Sequence, residues 1–201
     1  MSVVDEITLK RLGRVEYLDT WHEMRRFTRE RNDGTPDELW LLEHPPVYTL
    51  GQGAAAVSVA NGIPVVHCDR GGEVTYHGPG QVILYTLIDL GRRGIKVKSF
   101  VNLLEQAVID LVGKGAARRP GAPGVYVDGA KVAALGIRVT RGRAYHGLAL
   151  NVDMDLAPFS AIDPCGYPGL PVTQARDLGI AGTTAEVGQR LADNVMRLLG
   201  A

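Results

Sequence analysis

The pattern of hydrophobic and polar residues changes several times along the chain, and each change predicts an element. Alternating or continuously apolar runs predict five strands in the first half. They are LKRLGRVEYLD (9–19), ELWLLEH (38–44), IPVVHCD (63–69), EVTYHG (73–78) and QVILYTLIDL (81–90). In the second half, residues 125–153 predict a three-stranded meander, because Asp128-Gly129 is a strong hairpin turn and RGR (141–143) a plausible second one. Lys131 then follows the first turn, and His146 lies on the third strand.

Apolar residues at helical spacing and capping boxes predict three helices. They run from Thr20, capped with Glu23, to about residues 33–34; through SFVNLLEQAVIDLVGKG (99–115) to Gly113 or Gly115; and from Thr183, capped with Glu186, to Leu199. Prolines limit DLAPFSAIDPCGYPG (155–169) to a loop with a short helical turn. Helices and mostly antiparallel strands are segregated, so the chain is predicted to be an α+β protein with a single domain, 1–201.

Composition excludes several classes of function. The 201 residues include 45% hydrophobic and 22% charged residues, which is typical of an ordinary globular protein. Twenty-two basic residues balance twenty-two acidic ones, which argues against a nucleic-acid binder held by bulk charge. The N-terminus has no apolar signal region and no run is long enough to span a bilayer, so we expect a cytoplasmic protein with no membrane attachment.

The two cysteines, Cys68 and Cys165, are expected to be free thiols. Cys68 continues the apolar pattern of a predicted strand, which favours a structural role. Cys165 lies in DPCGYPG, where Pro164 restricts the backbone and Gly166 leaves one side of the thiol open. A rigid, glycine-flanked loop is a common place for a nucleophile, but this context alone fits a nucleophile and a loop filler equally.

A nucleophilic thiol needs a neighbouring base or cation, and four residues are candidates. They are His67, His77, His146 and Lys131. A histidine would give a protease-like Cys-His pair. Lys131 lies in an apolar strand, where it either extends to the surface or enters a pocket in which partial desolvation helps it to exchange a proton. The residues alone leave this choice open.

The glycine-rich segment RGGEVTYHGPGQ (70–81) is a poor match to a phosphate-binding loop. It lacks both common nucleotide-loop spacings, and a strand rather than a helix follows it. The alternation predicts Glu73, Thr75 and His77 on one face and Val74 with Tyr76 on the other. The segment is either an ordinary hairpin corner or one wall of a ligand pocket.

Four motifs in order resemble the lipoyl(octanoyl) transferase family, over about residues 38–170. They are RGGEVTYHGPGQ, KVAALGIRV, HGLALNVDMDL and IDPCGYPGL. The resemblance implies the α+β fold of biotin and lipoate ligase catalytic domains. It also implies that Cys165 attacks the thioester of octanoyl-acyl carrier protein, that Lys131 lowers the pKa of this thiol and acts as acid and base, and that a lysine amine then receives the acyl group.

The resemblance further implies a set of acyl-site residues. They are Arg70, Gly71, Gly72, Glu73, Val74, Thr75, Tyr76, His77, Ala134, Leu135, Gly136, Gly147, Leu148 and Ala149, with His146 as a possible supporting residue. The expected acceptors are lipoyl domains of 2-oxoacid dehydrogenase complexes and the glycine-cleavage H protein. No cofactor and no metal are expected, since the thioester is already activated, and a monomer is expected.

Three alternatives remain at this point. An ATP-dependent lipoate or biotin ligase of the same fold would need an adenylate site and magnesium. A Cys165-dependent hydrolase would release free octanoate. A non-catalytic acyl-binding module would make no use of Lys131 and Cys165.

Overall fold

The computed structural model describes residues 7–55, 61–162 and 169–200. The strands are β1 (Ile7–Arg14), β2 (Asp37–Glu43), β3 (Val47–Leu50), β4 (Val65–His67), β5 (Val74–His77), β6 (Gln81–Asp89), β7 (Ala116–Arg118), β8 (Gly124–Val127), β9 (Ala130–Thr140) and β10 (Arg143–Asn151). The helices are α1 (Tyr17–Glu30), α2 (Leu90–Arg93), α3 (Val97–Val112) and α4 (Thr184–Leu199), with short 3-10 turns at Ala157–Ala161 and Arg176–Leu178. Of these helices, none has both the length and the apolar character needed to cross a membrane.

Seven strands form the larger sheet, in the order β1-β2-β6-β10-β9-β8-β7. β1 and β2 are parallel, and every other neighbouring pair is antiparallel. The α+β class and the mostly antiparallel mixed sheet predicted from the sequence are therefore confirmed.

The main core lies between one face of this sheet and helices α3 and α4. Phe100 and Leu104 of α3 and Leu191 of α4 are fully buried against Leu84 of β6. Their spacing along each helix places them on one stripe, as expected for a helix that packs on a sheet. Burial of each such side chain contributes about 1.5–3 kcal/mol, so this face fixes the sheet on which the site is built.

The opposite face of the sheet carries α1 and the smaller sheet. Met24 of α1 packs with Trp40, Ile83 and Tyr85 from the large sheet. The smaller sheet has three strands in the order β4-β3-β5, and its own cluster includes Tyr48, Tyr76 and Phe159. The space between the two sheets is where a ligand site can form.

The predicted meander and its turns are confirmed as β8, β9 and β10. Asp128 and Gly129 have φ of 47° and 82°, as a type I′ turn requires. Arg141 and Gly142 repeat the pattern with φ of 49° and 78°. The capping box of α4 is confirmed too, since Thr183 Oγ1 accepts from the Glu186 N–H and the Glu186 carboxylate accepts from the Thr183 N–H.

Three boundary predictions were wrong. The first helix begins at Tyr17, not at Thr20. The strand before it ends at Arg14, not at Asp19. Thr20 lies inside the helix, where its hydroxyl donates to the Glu16 carbonyl instead of capping. α1 also ends at Glu30, earlier than predicted, and the short strands β3 and β7 were not predicted at all.

A buried carboxylate at the start of β2 joins the end of α1 to helix α2 at one end of the large sheet. Asp37 is fully buried and binds Arg31, Arg92 and Arg93 at 2.5, 2.8 and 2.6 Å. Burial alone would raise the pKa of Asp37, but the hydrogen bonds from Arg93, the Asp89 N–H and Arg31 lower it overall. Arg92 and Arg93 therefore hold the fold together at this end of the sheet.

Candidate active site

The floor of a cleft is formed by three neighbouring strands of the large sheet. Ala134 of β9, Ala149 of β10 and Ile83 of β6 lie side by side in the register. Gly136, Gly147 and Tyr85 form a second row two residues away. Residues two apart share a face of a strand, so both rows face the cleft. Small side chains in four of the six positions leave room above the floor.

The glycine-rich segment forms the roof. The Gly71 N–H donates to the Ile137 carbonyl at 2.9 Å, which fastens the segment to β9. A Cβ on Gly136 would lie only 2.7 Å from the Gly71 carbonyl oxygen, so a glycine is needed where the two backbones meet. β5 continues the roof, and the whole cleft holds about 510 Å³ of empty space with its open mouth included.

The structure brings most of the predicted acyl-site residues around this cleft. Its lining includes Arg70, Gly72, Glu73, Val74, Thr75, His77, Ala134, Leu135, Gly136, His146, Gly147, Leu148 and Ala149. Gly71 and Tyr76 are not among the lining residues: Gly71 fastens the roof, and Tyr76 packs in the small core against Tyr48 and Phe159. The side chains of Leu135 and Leu148 pack with the main core.

Three lining residues were missed by sequence reasoning: Tyr17, Ile83 and Tyr85. Ile83 and Tyr85 could have been found, because they share one face of a predicted strand that follows the glycine-rich segment. Tyr17 comes from the start of α1, which was placed wrongly. Only the fold shows that these segments meet.

Arg70 lines the cleft but directs its guanidinium group into the protein. Its Nη2 donates to the Thr49 carbonyl at 2.6 Å, its Nε to Thr49 Oγ1 at 3.2 Å, and its Nη1 to the Gly71 carbonyl at 3.0 Å. Only 8% of the residue is exposed. Its main effect is therefore to hold the roof segment to the smaller sheet.

Two buried histidines support the roof and remain neutral. His77 hydrogen-bonds Gln81 Oε1 through Nδ1 at 2.8 Å, and burial lowers its pKa to about 3. His44 lies between the Val15 carbonyl and the Tyr85 hydroxyl, and burial lowers its pKa to about 4. These rings act as hydrogen-bonding spacers between the cleft and the core.

Lys131 lies in a small cavity beside the cleft. Thr75 and Ala134 line both spaces. The lysine is 3% exposed, its Nζ donates to the Pro123 carbonyl at 3.2 Å, and the same atom lies 5.2 Å from the Tyr126 ring centroid. The Lys131 side chain therefore enters a pocket instead of extending to the surface.

Cys165 lies outside the described residues, but the chain on both sides of it is described. Phe159 and Val172 line the cavity that contains Lys131. The Lys131 N–H donates to the Pro171 carbonyl at 2.8 Å, and the Thr173 N–H donates to the Lys131 carbonyl at 3.0 Å. The segment after 163–168 is thus fastened beside Lys131, and the segment before it borders the same cavity.

His146 borders the cleft next to Gly147. It is 1% exposed, has a φ of 61° within β10, and shares a hydrogen bond of 2.8 Å between Nε2 and Asp69 Oδ1. Burial lowers the pKa of His146 more than Asp69 raises it, so the ring is neutral and donates its Nε2 proton. Nδ1 is then an acceptor, buried and without a hydrogen-bond partner among the described residues.

Asp69 also receives hydrogen bonds from Trp21 Nε1 at 2.8 Å and the Tyr145 hydroxyl at 2.5 Å. Burial alone would raise the pKa of Asp69, but its bonds to His146, Tyr145 and Trp21 hold it well below the usual range. Asp69 immediately precedes the glycine-rich segment that was predicted as one wall of the site. This position in the sequence was the signal that could have identified it.

Cys68 has an ordinary structural environment. It is half-buried, its thiol donates to the Leu50 carbonyl at 3.4 Å, and its N–H donates to the same oxygen at 2.9 Å. Among residues 7–55, 61–162 and 169–200, no group of three histidine, cysteine, aspartate or glutamate side chains could hold a metal ion.

A family model described as the lipoyl protein ligase A/B catalytic domain matches residues 16–195. The chain belongs to this family. Within it, the chain is 60% identical to an octanoyltransferase of Aromatoleum aromaticum, over 96% of this chain and 86% of that protein. It is 57% identical to an octanoyltransferase of Thiobacillus denitrificans, over 96% and 91%.

Solved structures share the lipoyl protein ligase A/B fold at low sequence identity. Lipoate-protein ligase A bound with ATP superposes with a TM-score of 0.77 at 17% identity, over 97% of this chain and 86% of the other. Biotin protein ligase from Aquifex aeolicus gives 0.55 at 11% identity, over 97% and 69%. These two likenesses concern the fold alone, and they confirm the predicted architecture.

Proposed function

We propose that this chain, residues 1–201, is a single catalytic domain that transfers an octanoyl group from octanoyl-acyl carrier protein to a lysine of a lipoyl domain. The observation that carries the proposal is a buried lysine, Lys131, in a cavity that shares two residues with an apolar cleft. The naming of its relatives as octanoyltransferases at 57% and 60% identity supports it.

The cleft suits an eight-carbon chain. Ile83, Ala134 and Ala149 offer apolar surface, and burial of each methylene contributes about 0.8 kcal/mol. Its polar side chains Arg70 and His77 are already hydrogen-bonded within the protein, so they do not need a ligand partner. A saturated acyl chain can therefore lie against these two side chains without breaking their hydrogen bonds.

The proposed reaction has two acyl transfers. The Cys165 thiolate attacks the thioester carbon, the bond to the carrier sulfur breaks, and the Lys131 ammonium gives its proton to the departing thiolate. The acceptor amine then attacks the octanoyl-Cys165 thioester and loses a proton to Lys131 as the carbon–sulfur bond breaks. Lys131 also lowers the pKa of the Cys165 thiol, since a nearby cation stabilises a thiolate.

The proposed partners follow from this chemistry. The donor is octanoyl-acyl carrier protein, and the acceptors are lipoyl domains of 2-oxoacid dehydrogenase complexes and the glycine-cleavage H protein. We further propose that the enzyme acts as a cytoplasmic monomer without a cofactor or metal, because the donor thioester is already activated.

Intact mass spectrometry tests the covalent intermediate. Incubation with octanoyl-acyl carrier protein alone should give an octanoyl adduct on the peptide that contains Cys165. Cys165→Ala should abolish both the adduct and octanoyl-domain formation, whereas Cys68→Ala should retain them. Equal activity of the two variants would refute the assignment of the nucleophile.

The same assay separates the alternatives. With an apo lipoyl domain and no ATP, a transferase forms the octanoyl-domain, whereas a ligase forms none until ATP and magnesium are added. A hydrolase releases free octanoate whether or not the domain is present. A binding module leaves the donor thioester intact.

A further inference from the structure

One peptide group accepts a hydrogen bond from the ammonium group of Lys131. Its Nζ donates to the Pro123 carbonyl at 3.2 Å. The N–H of the same peptide unit belongs to Gly124, and it donates to Glu105 Oε1 of α3 at 3.0 Å. A carboxylate on one side and an ammonium on the other therefore polarise the same amide, and hydrogen bonds in such a chain strengthen one another.

Gly124 makes this approach possible. Its φ is 145°, and an added Cβ would lie 2.7 Å from Lys131 Cε and 3.1 Å from Lys131 Nζ. The backbone thus forms the wall against which the lysine side chain lies. Gly124 also pairs with Ala134 of the cleft floor, so a shift of this peptide would reach the cleft.

Glu105 is an unusual residue for its position on α3. It is 4% exposed on the stripe that carries Phe100 and Leu104, where an apolar residue would pack without cost. Its second oxygen, Oε2, accepts from Arg118 Nε at 3.1 Å. The ion pair reduces the cost of burying the carboxylate and leaves Oε1 for Gly124.

We propose that Glu105 is a positioning residue for Lys131, acting through the Pro123–Gly124 peptide. This inference rests on the proposed function, in which Lys131 serves the Cys165 thiol. Glu105 fixes the carbonyl that orients the ammonium and increases the negative charge on its oxygen.

The charged and titratable groups around Lys131 determine how this is tested. Among the described residues, the Tyr126 ring of β8 faces the Lys131 ammonium directly. The Arg119 guanidinium lies 6.0 Å from the centroid of the same ring. Glu105 and Arg118 act from α3 and β7. The remaining cavity residues, Thr75, Gln81, Asn151, Phe159 and Val172 among them, carry no charge.

The decisive variant is the double substitution E105Q/R118Q, which removes the carboxylate without changing the net charge. We expect kcat for octanoyl transfer to fall about tenfold, the size of one hydrogen bond to a charged group, with KM for the donor unchanged. The pH midpoint for alkylation of Cys165 by iodoacetamide should rise, because a less firmly held cation stabilises the thiolate less. E105L, which also loses the acceptor for Gly124, should lower kcat further.

The matched control is D110N/R197Q, which removes another ion pair between α3 and a neighbouring element, here 2.7 Å long and exposed. It should keep the wild-type kcat and alkylation profile. A folded E105Q/R118Q protein with wild-type kcat and profile would overturn the inference, and so would an equal shift in the control. If Lys131→Met also kept full activity, the proposed function itself would fail, which separates the two results. E105Q/R118Q keeps an amide oxygen for Gly124 and decides the question even if E105L does not fold.

Discussion

Two basic side chains buried beside the cleft, Lys131 and His146, are held in different ways. His146 bonds directly to a carboxylate, Asp69, at 2.8 Å. Lys131 bonds to the Pro123 carbonyl, and its carboxylate, Glu105, lies on the far side of that peptide. Both residues are at most 3% exposed, so burial alone does not distinguish them.

The difference matches what each group can do. A direct carboxylate fixes the His146 ring and its tautomer, which suits a residue that orients others or presents an acceptor. The Pro123 carbonyl fixes the direction of the Lys131 ammonium, which suits a residue that has to reach a neighbouring group. In the proposed reaction Lys131 exchanges protons, whereas His146 holds a position.

The largest effect should come from replacing Lys131. Lys131→Met keeps the apolar stem and removes the proton donor, and kcat for octanoyl transfer should fall about 10²-fold or more, the usual range for a lost acid–base group. His146→Gln, as the comparison, should cost about tenfold or less, because a positioning group contributes one hydrogen bond. Single-turnover transfer to an apo lipoyl domain measures both. Equal losses would remove the distinction between the two residues.

The next effect concerns stability rather than rate. Asp69→Asn leaves Trp21, Tyr145 and His146 facing an uncharged amide, and the free energy of unfolding should fall by about 2 kcal/mol. Urea unfolding measures this change. Asp153→Asn, which breaks an exposed pair with Arg176, is the control and should leave the unfolding curve unchanged. An unchanged curve for Asp69→Asn would mean that the three hydrogen bonds are not what orders this end of the cleft.

Much of this fold could be predicted from local pattern. Strands β2, β6, β9 and β10 and helices α3 and α4 appear at their predicted places, because their apolar residues have the period of the element and clear turns or caps bound them. The errors arose where local signals conflicted with packing. Thr20 resembles a cap, but Tyr17 is buried by the core and draws the helix start forward by three residues.

The site was less predictable. The resemblance supplied Lys131 and three wall segments, 70–77, 134–136 and 147–149. The fold brings these segments together because 134–136 pairs with 147–149 and the Gly71 N–H fastens 70–77 to β9. Asp69, Tyr85 and Glu105 were missed, since each contributes through a contact with a segment far away in the chain. A glutamate within the apolar stripe of a predicted helix was the one signal that could have drawn attention to Glu105.

The final prediction is a pH dependence of the stability that comes from His44 and His77. His44 and His77 are neutral in the folded protein, with pKa lowered by burial to about 4 and about 3. In the unfolded chain a histidine protonates below about pH 6.5. The unfolded state therefore takes up protons that the folded state does not, and stability falls as the pH drops from about 6.5 toward 4, by up to about 1.4 kcal/mol per pH unit for each histidine.

Chemical unfolding between pH 7 and pH 4.5 measures this slope. His44→Gln should make the slope of stability against pH shallower by the contribution of one histidine. The variant should also be less stable at pH 7, because the Gln side chain does not reproduce both ring contacts. The exposed residue His22 provides the control, and His22→Gln should keep the wild-type slope. A slope that His44→Gln does not change would show that this histidine protonates freely in the folded state. His44 could then not be a neutral hydrogen-bonding spacer between the cleft and the core.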